Sequence, residues 1–173
     1  MIIYVGERGT FDYLAGLGVP VIFSGTLANA EKLIVSEYSD QAVRMVREAI
    51  LVNVPVLGLL DGFKSIIKAF DGQCQEIECA EGKQEWAVVD TSVPIYYGLE
   101  TAIKICRGKP IGLLEAVIPQ ELDCIARSKE GEIISVANLI SPGKHGNIYG
   151  INCYLSSELT CDAEKIITNF LNL

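Results

Sequence analysis

The chain is poor in the residues that most enzyme chemistry needs. Among 173 residues there is one histidine, His145, and one tryptophan, Trp86. A single histidine excludes zinc sites built on several imidazoles. It also means that Ser-His or Cys-His nucleophilic machinery could use only His145. Cations are scarce: 14 Lys and Arg against 22 Asp and Glu give a net charge of −8. So few dispersed cations form no phosphate-binding stripe, so nucleic acid is excluded as a partner. The scattered Lys and Arg read as solvated faces. No apolar run approaches the ~18 residues of a membrane-spanning helix, which excludes the membrane as well. The opening MIIYVG is too short for a secretory signal and has no basic flank, so a cytoplasmic location is expected. None of the six cysteines forms a C-x-x-C pair. They therefore read mostly as small buried apolar residues, reduced in that compartment. No cofactor motif is present and no cofactor is expected.

What the chain does have is hydrophobic patterning, half of it being apolar. That length and composition suit one domain, here taken as residues 1–173. Met1–Val5, Val19–Phe23, Lys32–Val35 and Pro55–Leu59 are near-continuous apolar runs, as in strands covered on both faces. A helix between the third and fourth runs is capped by Ser39 or Asp40. Val43, Val46 and Ile50 form its inner face, with Arg44, Arg47 and Glu48 outside. A second helix carries Phe63, Ile66, Ile67 and Phe70 at helical spacing and stops at Asp71-Gly72. From Gly72 to Gly150, shorter strand-like runs follow: Trp86–Val89, Cys124–Ser128, Ile133–Asn138 and Ile148–Asn152. Glu130-Gly131 reads as a hairpin tip. A last helix is expected from Thr160 as cap, with Ala163, Ile166, Ile167, Phe170 and Leu171 facing inward. Alternating strands and helices imply an α/β, flavodoxin-like, mostly parallel sheet with antiparallel additions. Sites in such sheets lie at the carboxyl ends of strands.

Val54–Gly62 is an apolar strand running into a turn and a helix, with Gly58 and Gly62 flanking Leu60. This is the form of a nucleophile elbow, in which glycines give clearance to a residue projecting from a sharp turn. The centre needs Ser or Cys for attack, and here it is Leu60.

These residues resemble the glutaminase signature of class I glutamine amidotransferases: apolar strand, Gly, aliphatic, Cys, any, Gly, any, Gln. Gly58, Leu59, Asp61 and Gly62 fit, Leu60 stands at the cysteine and Lys64 at the glutamine. The run Tyr149-Gly-Ile-Asn-Cys-Tyr-Leu-Ser-Ser157, then Thr160 and Asn169-Phe-Leu171, is similar to the family's stretch carrying its catalytic His and Glu. In that register Tyr154 holds the histidine position and Ser156 the glutamate position. Asp123–Ser128 with Glu130–Ile134 resembles the strand pair before that stretch. Lys32–Ser36 resembles the strand before the oxyanion loop, which reads Glu37-Tyr38-Ser39-Asp40 and lacks the family's glycines.

The resemblance implies the family's fold with all three triad positions changed, to Leu60, Tyr154 and Ser156. It implies a binding, scaffolding or regulatory subunit, paired with a synthetase-like protein partner or with its own copies. Glu37, Tyr38, Asp61, Lys64 and Glu158 are its candidate cleft residues, and a small-molecule ligand is compatible with them. The alternative is different chemistry in the same cleft using Asp61, Tyr154 and Ser156, with an Asp or Glu as base and Tyr154 as acid or hydrogen-bond donor. True glutamine hydrolysis ranks last, because the nucleophile is absent. A Cys153–His145 dyad has no spacing to support it. Cys153 is expected to pack, and His145 to sit in a solvated loop. Asp40 reads better as a helix cap than as a ligand, and Glu37, Asp40 and Asp61 lack the spacing of a cation site. Tyr96-Tyr97 reads as a packed or interfacial loop.

Overall fold

The structure is a computed structural model describing residues 1–113, 117–156 and 158–173. The elements run β1 (Ile2–Val5), α1 (Arg8–Gly16), β2 (Val21–Phe23), β3 (Lys32–Val35), α2 (Asp40–Leu51), β4 (Val56–Leu59) and α3 (Asp61–Ala69). They continue through β5 (Gln75–Glu76), β6 (Gln84–Val89), a 3-10 turn (Pro94–Tyr96), β7 (Ala102–Cys106), β8 (Ile111–Gly112), β9 (Leu122–Ser128), β10 (Ile133–Ser141), β11 (Lys144–Ile151) and α4 (Ala163–Leu171).

Nine strands form one sheet in the order β2-β1-β3-β4-β11-β10-β9-β6-β7, and β5 pairs with β8 in a separate ribbon. From β2 through β11 neighbours are parallel; beyond β11 they are antiparallel. This is the expected α/β, flavodoxin-like arrangement. The apolar runs cover both faces because side chains alternate along each strand. In β1, Ile2 and Tyr4 enter a layer with Leu14 of α1 and Ile166 and Phe170 of α4. Ile3 and Val5 enter the opposite layer with Met45 and Val46 of α2 and Phe63, Ile66 and Ile67 of α3.

Local signals act as anticipated in α2, where the Ser39 hydroxyl accepts the Ala42 N–H at 3.1 Å. Asp71, at φ 60°, turns the chain out of α3. The Glu130-Gly131 tip joins antiparallel β9 and β10, with Gly131 at φ 88°. Among the described residues no helix is long and apolar enough to cross a membrane.

Several expectations are corrected. Thr160 does not cap α4, whose first flanking residue is Asp162. Its buried hydroxyl instead accepts the Cys106 N–H and donates to the Tyr154 carbonyl, both at 2.8 Å. His145 is not a solvated loop residue: it lies on β11, and its Nε2 is 2.9 Å from Asp123 Oδ2. Not every cation is solvated. Arg107 is 1% exposed, paired with Glu85 at 2.8 Å and with Glu132. Only Cys106 and Cys153 are buried; Cys161 is exposed and the other three lie between. The Tyr96-Tyr97 pair divides, Tyr96 being buried and Tyr97 exposed. Helix α1 and strand β7 went unread in the sequence.

Candidate functional site

The elbow forms where β4 meets α3. Leu60 sits at φ 54° and ψ −117°, a conformation that side chains other than glycine rarely adopt. Its neighbours hold it there. Leu60 N–H donates to the Ile151 carbonyl at 3.1 Å, and Phe63 N–H returns to the Leu60 carbonyl at 3.0 Å. The flanking glycines are required by close approach. A Cβ on Gly58 would lie 2.5 Å from the Gly62 carbonyl oxygen, and one on Gly62 1.9 Å from the Val35 carbonyl oxygen. The elbow is therefore complete in its backbone, with an aliphatic side chain at its centre. That side chain is 2% exposed. It offers no lone pair for attack.

Strand β11 runs parallel to β4 and carries the chain to Tyr154 beside the elbow. Tyr154 N–H donates to the Cys106 carbonyl at 3.1 Å, and its hydroxyl donates to Glu81. Lys109 Nζ lies 3.6 Å from Glu81 and 6.0 Å from the Tyr154 ring centroid. Burial pushes the Tyr154 phenol up, and its hydrogen bond to Glu81 pushes it further. It therefore stays protonated and serves as a donor. Burial alone would lower the Lys109 ammonium, but Tyr154, Glu81 and Asp61 together outweigh it and raise it. Hydrogen bond and ion pair join Tyr154, Glu81 and Lys109, and Asp61 acts on Lys109 only through its charge.

Other candidates lie elsewhere around this edge. Ser156 and Glu158 line a 310 Å3 surface hollow with Tyr13, Thr160 and Glu164. Among the described residues no hydrogen bond ties them to Tyr154 or Asp61. Ser157, which ends the matched stretch, lies outside the described residues. Lys64 Nζ stands 4.2 Å from the Tyr38 ring centroid, so these two cover each other. The Glu37 carboxylate accepts from the Ser39 hydroxyl at 2.8 Å, and its carbonyl from Ser65 at 2.7 Å. Asp40 opens α2. Among the described residues no three His, Cys, Asp or Glu side chains converge as a metal site requires.

Cys153 is buried, and burial pushes its thiol up to about 12, far from a thiolate at neutral pH. His145, bound to Asp123, is occupied elsewhere.

Sequence reasoning missed Glu81, Lys109 and Arg107. One signal was present for the last: along β7, Ile103 and Ile105 face the core, and strand alternation puts Arg107 on the same side. The strap after β7 is tied down there. Arg107 N–H donates to the Lys83 carbonyl at 2.7 Å, Gly108 N–H to the Asn152 carbonyl at 3.1 Å, and the Asn152 amide to the Lys109 and Ile111 carbonyls.

No family model matches the chain. Curated relatives do. It is 27% identical over 121 residues to the bifunctional protein TrpGD of Thermotoga maritima, covering 70% of this chain and 20% of that protein. It is 26% identical over 122 residues to anthranilate synthase component 2 of Archaeoglobus fulgidus, covering 70% of this chain and 63% of that protein. The chain thus matches less than two thirds of the length of either. Among solved structures, a GMP synthase subunit protein from Thermoplasma acidophilum superposes with a TM-score of 0.80 at 20% identity. The match covers 99% of this chain and 92% of that one. PurLQS of Thermotoga maritima superposes with a TM-score of 0.75 at 17% identity, covering 99% and 97%. In fold, in its elbow and in its sequence relatives, the chain is similar to the class I glutamine amidotransferases.

Proposed function

We propose that residues 1–173 form one glutaminase-like domain that does not hydrolyse glutamine. It serves in the cytoplasm as a binding, scaffolding or regulatory subunit of a synthetase-like protein partner. The observation that carries this reading is Leu60, an aliphatic residue held in the elbow conformation where the family's chemistry needs a thiolate. Tyr154 and Ser156 at the other two triad positions supply neither a base nor its orienting carboxylate. A hydroxyl committed to Glu81 argues against Tyr154 as the acid of a different reaction. The relatives named as synthase components support a protein partner of that class.

Two measurements test the reading. Purified protein incubated with glutamine should release no ammonia above the uncatalysed background. Turnover abolished by replacing a cysteine would overturn the assignment as inactive. Affinity purification from the native host should recover a stable synthetase-like partner. A chain that stays monomeric and unaccompanied in that experiment would overturn its role in a complex.

A further inference from the structure

We propose that the crevice between the carboxyl ends of β1 and β3 is a binding site for a ribonucleoside, separate from the elbow. The sheet order β2-β1-β3-β4 makes this a topological switch point. The connection leaving β1 enters α1 and packs into one core layer, whereas that leaving β3 enters α2 and packs into the other. The two helices diverge and leave a gap at the strand ends, where open α/β sheets take their ligands.

The floor of the gap is polar, rigid and internally paired. Tyr4 and Ser36 are buried, and their hydroxyls pair with each other. Tyr4 also donates to the Glu7 carbonyl at 2.7 Å, and Glu7 N–H donates to Ser36 Oγ at 3.2 Å. Gly6 completes the floor. At φ 147° it needs glycine, and a Cβ there would lie 2.1 Å from Ser36 Oγ. Above this floor lies a 340 Å3 hollow whose lining includes Phe23, Ser24, Gly25, Glu37 and Gln41. That volume is at the small end of ligand pockets, the scale of one nucleoside.

The lining chemistry selects the ligand class. Among the described residues no Lys or Arg lines the hollow. Arg8, 6.0 Å from the Phe23 ring centroid, is paired with Asp12 at 2.8 Å, and Glu37 faces in, so a phosphate there would meet repulsion from a carboxylate and no unpaired cation. Glu37 accepts one hydrogen bond, from Ser39, and a carboxylate has capacity for several more. The Gln41 amide makes one long bond, 3.4 Å to the Gly25 carbonyl, leaving its oxygen and second N–H available. A carboxylate beside a carboxamide suits vicinal hydroxyls. Phe23 supplies the apolar half. It is 44% exposed, stacked on Phe11 at 4.2 Å and braced edge-on by Tyr4 at 5.1 Å. A braced aromatic beside a hydroxyl-binding pair fits a planar base carried on a ribose.

The site shares no residue with the elbow centre, so its test is independent of whether the chain hydrolyses glutamine. Calorimetric titration of the whole chain with adenosine, guanosine, cytidine and uridine is expected to give saturable binding for at least one. That nucleoside should bind about tenfold more tightly than its 5′-monophosphate and its 2′-deoxy form. Glu37→Gln, which preserves shape, and Phe23→Ala should each weaken it by about tenfold. Should Phe23→Ala fail to fold, Glu37→Gln alone decides the matter. The assignment is overturned by no binding of any of the four at millimolar concentration. It is equally overturned by unchanged affinity in Glu37→Gln, or by a monophosphate that binds as well as its nucleoside.

Discussion

A leucine at φ 54° is strained by about 1–3 kcal/mol, and nothing in its own side chain offsets that. The conformation persists because its surroundings determine it. The Leu60–Ile151 hydrogen bond fixes the turn, and the helix packs so closely that Gly62 touches the Val35 carbonyl. The two glycines therefore serve the fold whatever residue stands between them. Gly62→Ala is expected to cost about 3 kcal/mol, because its methyl would meet backbone that cannot rotate away. Gly9→Ala is the matched control, since it lies in α1 with nothing within 4 Å of the added carbon. It should stabilise by about 0.5–1 kcal/mol through helix propensity. Urea midpoints of the two variants would be compared; shifts of opposite sign, the larger in Gly62→Ala, are the expected result. A neutral Gly62→Ala would mean that β4, α3 and β3 are less tightly packed than described.

Among the elements, those whose signals are local were legible from the residues alone. Strands β1 to β4 are short apolar runs, three of them buried on both faces, and α2 and α3 each present a strong apolar stripe. The elbow was legible because its glycines answer to backbone distances set by one strand, one turn and one helix. Helix α1 was not, having only Thr10 and Leu14 buried and no side-chain cap. Long-range partners also defeated local rules. Thr160 looks like a cap, but Cys106 N–H and the Tyr154 carbonyl take its hydroxyl first. Arg107 looks solvated until β6 and the β9–β10 hairpin bring Glu85 and Glu132 to it. This clasp holds the strap whose Cys106 and Lys109 engage Tyr154 and Glu81 at the elbow's edge. Arg107→Ala should cost about 3 kcal/mol or more, because two carboxylates lose their shared cation and a buried space opens. Arg107→Met in a Glu85→Gln, Glu132→Gln background should recover most of that loss. Denaturant unfolding of the three proteins would decide. An Arg107→Ala variant as stable as the parent would remove the clasp from the account of the fold.

Across the whole molecule, buried weak acids are distributed through both core layers, and this sets the response to alkali. In one layer, burial raises Cys153 to about 12 and the Tyr4 and Tyr149 phenols likewise to about 12. Against the other, burial raises Cys74 to about 11. Each group is neutral in the folded chain over a range where the unfolded chain ionises it. The resulting stability is present in full below the unfolded thiol value near 9. It falls as pH rises from there toward the folded values. With two thiols, the loss between pH 9 and 10 is about 2 kcal/mol, and the tyrosines add to it above pH 10. Acid unfolding does not share this origin, because these groups are already protonated at neutral pH and below. Urea midpoints at neutral pH and at pH 9 and 10 would trace the slope. Cys153→Ala should be less stable at neutral pH, through the cavity it leaves, and less sensitive to alkali. A parent slope that the variant leaves unchanged would place the alkaline response outside the buried thiol.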